Sequence, residues 1–389
     1  MKHIFIVGSK GIPAQYGGYE TFVDNLVSKQ VSEDIKYHVA CMTFDKNTKD
    51  YSYYGAECHQ IYVPDIGGPK AILYDLRALN WALSTIKQKK FSNGIIYILA
   101  CRIGPFIHSY IPKFHRYGFQ IWVNPDGHEW LRAKWSKPVR KYWKISESGM
   151  VKNADLLICD SKNIEKYIHV QYDKFNPKTT FIAYGADVTK STLSYNHPKI
   201  IKWYKVHNVQ LNNYFLIVGR FVPENNYETM IREFMSSKVK KDLVIITNVE
   251  KNSFYESLKE KTHFDQDARI KFVGTVYDKE LLKFIRENAY GYLHGHSVGG
   301  TNPSLLEALG STKLNLLYNV GFNKEVAEDA ALYWSKTSGF LSELLEKADK
   351  LNESQIDNLG KKAKQRIIHG YSWDKIVKEY ENQFLGRRG

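Results

Sequence analysis

Two glycine-rich stretches of the chain have the composition of phosphate-binding loops. They are residues 8–20 and residues 294–309, and each begins where an apolar run ends. Glycines let a bulky ligand approach the backbone closely, and a helix that follows directs its positive end at an anion. The first stretch has neither the spacing of a dinucleotide fingerprint nor that of a P-loop, so a simple tight turn is an equally weighted alternative there.

Charged side chains follow two of the apolar runs. Arg220 comes directly after the run 214–218, and its planar guanidinium suits a diphosphate. Asp126 comes after the run 120–123, where a catalytic carboxylate would reach a bound substrate. A plain turn is the alternative interpretation around Asp126, because Pro, Asp and Gly all favour turns.

The second glycine-rich stretch has the elements of an anion site. A helix is predicted to begin near Pro303, so the open N–H groups of Gly300, Thr301 and Asn302 would face an anion. Glu307 lies one helical turn further on, within reach of a ribose hydroxyl. The stretch therefore favours a ligand that carries both a phosphate and a sugar.

Residues 130–144 combine six cationic and four large aromatic side chains with no acidic one. Tryptophans and cations together suit a membrane interface, where rings sit at headgroup level and cations meet phosphates. They also suit stacking on nucleic acid, and a solvated basic helix face is a further alternative. Most of the net charge of +14 lies in residues 1–200, which favours an anionic partner.

Metal-binding and disulfide patterns are not evident in the sequence. The four cysteines are scattered, and His128 and Glu129 share no ligand face and have no second cluster nearby. A metal at His294 and His296 is a minor alternative. We expect no metal and no cofactor. There is no signal peptide and no apolar stretch of about 18 residues, so we expect a cytoplasmic protein, peripheral on the inner face of the cell membrane.

Apolar runs and amphipathic segments alternate along the chain, which predicts a doubly wound α/β fold. Residues 1–200 form the first predicted domain, and residues 201–371 form the second, with a polar hinge at 185–212. A C-terminal helix within 372–389 is expected to pack back on the first domain. Predicted strands lie at 3–7, 37–42, 95–100, 120–123, 156–159, 214–218, 242–247, 270–273 and 291–294. Predicted helices lie at 20–30, 72–87, 227–236, 279–288, 304–309 and 372–384.

Three motifs in this order resemble those of the family-4 retaining glycosyltransferases. They are Gly17-Gly18-Tyr19-Glu20, then Gly219-Arg220, and finally Glu307-Ala308-Leu309. The resemblance implies the GT-B fold, in which two Rossmann-like doubly wound domains face each other across a cleft. It also implies transfer of a sugar from a nucleotide diphosphate sugar without a metal.

Residues 8–20 and 124–135 resemble one subgroup, the bacterial rhamnosyltransferases of capsule and cell-wall polysaccharide synthesis. That likeness implies dTDP-L-rhamnose as donor. It implies a β-1,4 linkage to glucose or N-acetylglucosamine on a lipid diphosphate such as undecaprenyl diphosphate. Three positions depart from the family pattern: Gly299 replaces a Glu, Asn225 replaces a Lys, and Asp126 replaces a His.

The resemblance and the residues together assign roles in each domain. Asp126 and Arg220 are the predicted catalytic residues. The predicted donor-binding residues are Arg220, Asn225, Gly299, Gly300, Thr301, Asn302, Ser304 and Glu307. The predicted acceptor-binding residues are Gly17, Gly18, Tyr19, Glu20, His128, Arg132, Lys134 and Arg140.

Three other functions are alternatives to this one. A GT-B enzyme that uses a UDP- or GDP-linked sugar fits the same motifs. A basic nucleic-acid-binding protein is favoured only by the net charge, and no nucleic-acid module is recognisable, so we expect no nucleic-acid partner. A non-catalytic sugar-binding protein would not need the diphosphate-binding groups.

Overall fold

Parallel strands dominate the computed structural model of the chain, which describes residues 1–14, 17–132, 134–249 and 252–387. Gln15 and Tyr16 of the first glycine-rich stretch, and Ala133 of the basic stretch, lie outside the described residues. The chain divides into two compact units. Unit 1 comprises Met1–Gly185 and the segment from Trp373 onward, and unit 2 comprises Ala186–Ser372.

Unit 1 contains an eight-stranded sheet with the order β3-β4-β2-β1-β5-β6-β7-β8. Its neighbours pair in parallel except for β3, which is antiparallel to β4. The strands are β1 (Lys2–Val7), β2 (Ile35–Thr43), β3 (Tyr51–Tyr53), β4 (Ala56–Tyr62), β5 (Gly94–Leu99), β6 (Phe119–Asn124), β7 (Leu156–Cys159) and β8 (Thr179–Phe181). The central strands are apolar on both faces because helices cover both sides of the sheet.

Seven helices flank the unit 1 sheet in the described residues. They are α1 (Gly18–Ser28), α2 (Lys70–Lys89), α3 (Gly104–Ile107), α4 (Ile111–His115), α5 (Lys137–Asn153), α6 (Lys162–Gln171) and the C-terminal α15 (Trp373–Leu385). Helix α15 is held by Tyr380, whose hydroxyl lies 3.1 Å from that of Tyr97 on β5. Glu381 accepts hydrogen bonds from the backbone N–H groups of Val31 and Ser32.

Unit 2 contains a six-stranded parallel sheet with the order β11-β10-β9-β12-β13-β14. The strands are β9 (Tyr214–Val218), β10 (Asp242–Ile246), β11 (Ile270–Phe272), β12 (Gly291–His294), β13 (Asn315–Tyr318) and β14 (Leu332–Trp334). The helices are α7 (Pro198–Val206), α8 (Tyr227–Ser236), α9 (Ser253–Thr262), α10 (Lys279–Glu287), α11 (Pro303–Ser311), α12 (Gly321–Ala327), α13 (Phe340–Ala348) and α14 (Glu353–Gly370).

Each sheet reverses its strand order once near its centre. The reversal lies between β1 and β5 in unit 1 and between β9 and β12 in unit 2. Ligands of open α/β sheets bind outside the carboxyl ends of the strands at such a reversal. The loops after β1, β5, β9 and β12 are therefore the positions at which the fold supports chemistry.

The structure differs from the sequence-based expectation at the boundary between the halves. The chain passes from unit 1 to unit 2 at Gly185 and Ala186, so residues 186–200 belong to the second unit and not to the first. The segment expected to be a polar hinge contains α7, whose Ile200 and Trp203 are buried in unit 2. No helix in the described part of the chain is both long and apolar enough to cross a bilayer.

Candidate functional site

The loop after β1 is tied to the loop after β5 by Arg102. The Arg102 Nη1 atom donates to the carbonyl oxygen of Gly8 at 3.0 Å and lies 3.2 Å from Asp75 Oδ2 on α2. Gly8 has a φ of 106°, and a Cβ there would clash with the backbone of Leu99. Burial raises the pKa of Asp75 to about 6, and the guanidinium opposes that rise. A half-buried cation paired with a fully buried carboxylate therefore lies at the strand reversal of unit 1.

The first glycine-rich stretch is fastened to the helix that follows it. Glu20 Oε1 accepts from the Lys10 backbone N–H at 2.7 Å, and Asp24 Oδ2 accepts from the Ala14 N–H at 2.9 Å. Gly17 has a φ of 130°, and a Cβ there would clash with the Glu20 carboxylate. The predicted acceptor residues Gly17 and Glu20 thus shape the loop itself. Gly18 is exposed at the start of α1.

Tyr19 contributes a buried hydroxyl to the same edge of the sheet. This hydroxyl has no hydrogen-bond partner among the described residues. Burial raises the pKa of Tyr19 well above its ordinary value, and the charge of Asp126 adds to the rise while Arg102 opposes it. Tyr19 and Asp126, which are distant in sequence, are therefore electrostatic neighbours.

Asp126 lies in a left-handed turn at the end of β6. Its φ is 57°, and its N–H donates to the Asn124 side chain at 2.9 Å. Arg132 Nη2 lies 3.7 Å from Asp126 Oδ2. The following Gly127 has no room for a side chain, because a Cβ would clash with Ile164. The turn proposed from the sequence is present, and it presents a carboxylate at the carboxyl edge of the unit 1 sheet.

The cations predicted to meet acceptor phosphates have partners within unit 1. Arg132 and Lys134 both pair with Glu129, with 3.3 Å between Lys134 Nζ and Glu129 Oε1. Arg140 Nε donates to the carbonyl oxygen of Trp135 at 3.0 Å. These contacts fix the positions of all three cations beside Asp126 and at the start of α5.

Trp130 and Lys144 of the basic stretch both contact the Tyr167 hydroxyl on α6. Lys144 Nζ lies 4.1 Å from the ring centroid of Trp130 and 3.1 Å from the Tyr167 hydroxyl. That hydroxyl donates to the buried Glu147 at 2.5 Å, and burial raises the pKa of Glu147. The His128 ring lies 4.0 Å from that of Tyr167, and burial lowers the pKa of His128.

In unit 2 the loops after β9 and β12 are joined by Asn225. Its Nδ2 donates to the Arg220 carbonyl oxygen at 2.7 Å, and its Oδ1 lies 2.9 Å from His296 Nδ1. The carbonyl oxygen of Glu224 accepts from both the N–H and the hydroxyl of Ser297. The Arg220 side chain is exposed, and no described residue pairs with its guanidinium. Asn225 occupies the position at which the family pattern has a Lys, and its hydrogen bond to the Arg220 backbone helps to position Arg220.

The second glycine-rich loop is buried and leads into a capped helix. Gly299, with a φ of 119°, and Gly300 and Thr301 are buried. Asn302 is the N-cap of α11, and its Oδ1 accepts from the Ser304 N–H at 2.9 Å. The same Oδ1 accepts from the Leu305 N–H at 3.4 Å, so the N-cap side chain binds two N–H groups of the helix end. The N–H groups of Gly300, Thr301 and Asn302, which were predicted to face an anion, are not among them.

Ser304 and Glu307, two of the predicted donor-binding residues, make contacts that the sequence did not predict. The Ser304 hydroxyl lies 3.0 Å from both the Val218 carbonyl oxygen and the Tyr292 hydroxyl. Glu307 Oε2 lies 2.6 Å from Nη2 of Arg286, a buried residue at the end of α10. Strands β9 and β12 and helices α10 and α11 meet at these side chains.

His294 ends β12, and His296 lies in the glycine-rich loop that follows it. Their ring centroids are 6.1 Å apart, and burial lowers the pKa of His294 to about 3. Within the described ranges, no group of three His, Cys, Asp or Glu side chains is arranged to hold a metal ion. The neutral His294 ring instead stacks on the ring of Tyr292 in the same strand, with 5.8 Å between the ring centroids.

Comparison with solved structures matches 99% of the chain to two sugar-phosphate synthases and to a protein solved with UDP and glucose. A sucrose-phosphate synthase from Thermosynechococcus elongatus aligns with a TM-score of 0.81 at 15% identity over 99% of both chains. An α,α-trehalose-phosphate synthase (UDP-forming) from Burkholderia xenovorans aligns with a TM-score of 0.76 at 9% identity, over 99% of this chain and 100% of that one. HepE of Anabaena, solved with UDP and glucose, aligns with a TM-score of 0.70 at 13% identity over 99% of both.

The chain has the GT-B fold. This confirms the predicted fold class of two Rossmann-like units, and at these identities it establishes the fold alone. A family model described as a domain of unknown function, DUF1972, matches residues 1–187. No curated protein matches the chain by sequence.

Proposed function

We propose that the chain is a metal-independent glycosyltransferase that moves a hexose from a nucleoside diphosphate sugar to an acceptor. The observation that carries this proposal is the exposed guanidinium of Arg220 at the strand reversal of the unit 2 sheet, unpaired within the described residues. A diphosphate leaving group needs such a cation. The GT-B fold and its likeness to a UDP-forming synthase and to a UDP-bound protein support the proposal.

The proposed donor is dTDP-L-rhamnose, and the proposed acceptor is glucose or N-acetylglucosamine on undecaprenyl diphosphate or a similar lipid diphosphate. The motifs in residues 8–20 and 124–135 support this choice through their resemblance to rhamnosyltransferases. Unit 2 would bind the donor, with Arg220 on the diphosphate and Glu307 on the ribose. Unit 1 would bind the acceptor at the cluster of Tyr19, Arg102 and Asp126.

In the proposed reaction the bond from the sugar C1 to the diphosphate oxygen breaks, and the acceptor oxygen bonds to C1 on the same face. The departing phosphate oxygen takes the acceptor's proton, so no separate base is required. Arg220 stabilises the charge that develops on the diphosphate. Asp126 orients the acceptor hydroxyl. An Asp126→Asn variant with near-normal turnover would remove Asp126 from this role.

Peripheral membrane binding through α5 and α3 is part of the proposal. Ile145 on α5 is 54% exposed and Phe106 on α3 is 42% exposed, and Lys137 and Lys141 are exposed on α5. The two helices pack closely, because a Cβ on Gly104 would clash with the backbone of Ser146. Exposed apolar side chains beside cations fit an anionic bilayer surface. A lipid-linked acceptor would reach the protein at this face.

An in vitro transfer assay tests the donor and acceptor together. It offers dTDP-rhamnose, UDP-glucose and GDP-mannose separately to lipid-diphosphate-glucose and lipid-diphosphate-N-acetylglucosamine, with EDTA present. Rhamnosyl product from dTDP-rhamnose alone supports the full proposal, and the preferred lipid names the acceptor. Transfer only from UDP- or GDP-sugar keeps the enzyme class and rejects the donor. Absence of transfer from all three donors would reject the assignment.

A further inference from the structure

Three successive residues at the end of β6 have left-handed backbone conformations. Asp126, Gly127 and His128 have φ values of 57°, 79° and 58°. Residues with a side chain visit this region rarely and singly, because their Cβ then lies close to a backbone carbonyl oxygen. Such a conformation persists only where the surrounding structure holds it. The Asp126 carboxylate is therefore presented by a segment that needs support from other elements.

Helix α6 supplies part of this support. Ile164 and Tyr167 are three positions apart on α6, so they lie on one face of the helix. Ile164 lies so close to Gly127 that it leaves no room for a Cβ there. The ring centroids of Tyr167 and His128 are 4.0 Å apart. The two residues that follow Asp126 thus pack on two side chains of α6.

The Tyr167 hydroxyl has a full set of hydrogen-bond partners. It donates to Glu147 Oε1 at 2.5 Å, and it accepts from Trp130 Nε1 at 3.2 Å and from Lys144 Nζ at 3.1 Å. A hydroxyl oxygen carries one proton and two lone pairs, so all three sites are occupied. Residues 126–130 are called the Asp126 turn below. The bond from the Trp130 indole fastens the end of this turn to α6.

Glu147 on α5 holds the Tyr167 hydroxyl in place. It is buried, and it also accepts a hydrogen bond from the hydroxyl of Tyr172, which follows α6 directly. Burial raises the pKa of Glu147, and the two tyrosine hydroxyls and the His128 backbone oppose that rise by hydrogen bonding to the carboxylate. In the described part of the chain both hydroxyls share this carboxylate, and that of Tyr167 alone also bonds to the Asp126 turn.

We propose that Tyr167 is a positioning residue for the acceptor, because it holds the Asp126 turn where the Asp126 carboxylate meets the acceptor hydroxyl. In this role Tyr167 acts through the turn and not on a substrate. The inference rests on the proposed function, in which Asp126 orients that hydroxyl. Loss of the Tyr167 hydroxyl would free Trp130 and let the left-handed residues relax. Misplacement of a group by about 1 Å can lower a rate about a hundredfold, so the change should appear in turnover.

The test compares Tyr167→Phe with Tyr172→Phe. Each variant deletes one hydrogen bond to Glu147, and the first also deletes the bond to the Asp126 turn. The kcat and KM of the full chain are measured with the donor, among dTDP-rhamnose, UDP-glucose and GDP-mannose, and the lipid-diphosphate sugar that yield product. We expect kcat to fall about tenfold to a hundredfold in Tyr167→Phe and to stay near the wild-type value in Tyr172→Phe. Urea unfolding should show similar losses of stability, and the affinity for the donor's nucleoside diphosphate should be unchanged in both.

A double variant shows whether the effect passes through Asp126. If it does, Asp126→Asn combined with Tyr167→Phe should be no slower than the slower single variant. Losses of kcat that multiply in the double variant would overturn the inference. An Asp126→Asn variant with near-normal turnover would overturn it as well, because the turn would then position no group on which the reaction depends.

Trp130→Phe gives a second measurement if Tyr167→Phe does not fold. It deletes the indole N–H that bonds to Tyr167 and keeps an aromatic ring beside Lys144. Its kcat should also fall, and a wild-type kcat in this variant would overturn the inference. Transfer by the wild type with equal kcat in the two tyrosine variants would reject the inference alone. A wild type that transfers no sugar from any of the three donors would reject the proposed function and the inference with it.

Discussion

Glu20 fixes the loop that precedes its own helix, because its Oε1 accepts a hydrogen bond from the Lys10 backbone N–H at 2.7 Å. The carboxylate is buried against Gly17, whose φ of 130° and lack of a side chain allow the close approach. The Gly-Gly-x-Glu motif therefore has a structural explanation. Its glycine makes space for its glutamate, and its glutamate supports the loop that borders Arg102 and Tyr19.

Replacement of Glu20 tests this supporting role. Glu20→Ala leaves the Lys10 N–H without its partner, which should lower the free energy of unfolding by about 1–3 kcal/mol. Glu20→Gln keeps an acceptor oxygen and should lose less. Urea unfolding measures the free energy of unfolding of both variants, and Glu33→Ala, at an exposed position, is the control. Equal stability of the Ala variant and the wild type would show that the bond does not support the loop.

The central strands of both sheets are predictable because they are continuously apolar. Strands predicted at 156–159, 214–218 and 291–294 are confirmed with the same bounds. Strands β3 and β4, at one side of the unit 1 sheet, were not predicted, since β4 alternates apolar residues with Glu57, His59 and Gln60 and resembles a loop in sequence. Helix α5 was not predicted because its many cations obscure its buried face.

The sequence indicates the loops of the candidate site better than its ion pairs. Arg102, Asp75 and Arg286 lie in no recognisable motif, yet each is placed at a strand reversal. Their partners are distant in the chain, and only the order of strands brings them together. One sequence pattern could have indicated these ion-pairing residues. It is a single charged residue at the end of an apolar strand or on an otherwise apolar helix face.

Arg220 is expected to contribute to ligand binding and not to stability. Its guanidinium has no partner in the described residues, so Arg220→Ala should change the free energy of unfolding by less than about 0.5 kcal/mol. The affinity for dTDP should fall about tenfold to a hundredfold, the value of hydrogen bonds to a charged group. Calorimetry measures the affinity for dTDP, and urea unfolding measures the stability.

Arg232→Ala removes an exposed arginine from α8, where it pairs with Glu228, and serves as the control for Arg220→Ala. Its dTDP affinity should match that of the wild type. If both variants lose affinity equally, the effect comes from net charge and not from the position of Arg220. Unchanged dTDP affinity in Arg220→Ala would contradict its assignment to the diphosphate.

His38 is expected to make the stability of the chain fall in mild acid. Its Nε2 lies 3.0 Å from His3 Nδ1, its Nδ1 lies 3.2 Å from Glu57 Oε2, and Phe5 stacks on its ring. Burial lowers the pKa of His38 to about 4; Glu57 opposes this, and His3 and Lys89 add to it. The unfolded side chain has a pKa of about 6.5 and binds a proton first.

The contribution of His38 is therefore fully present above about pH 6.5 and is lost as the pH falls toward 4. Urea unfolding at several pH values should show a shallower loss in His38→Phe than in the wild type. Phe91→Leu, which alters the stacking on His3 without removing a titrating group, is the control. It should lower stability at every pH and keep the slope. An unchanged slope in His38→Phe would contradict the prediction.

Cations on the exposed face of α5 should bind the chain to anionic membranes. Each lysine near such a surface contributes about 1 kcal/mol, so Lys137→Glu with Lys141→Glu should reduce sedimentation with phosphatidylglycerol vesicles at least about tenfold. Ile145→Ser should weaken binding by removing an exposed apolar side chain.

Lys202→Glu with Lys205→Glu on α7 makes the same change of net charge at exposed positions of unit 2 and should leave sedimentation near the wild-type level. Equal losses in the two double variants would mean that overall charge drives binding, and the assignment of the membrane face to α5 would then fail.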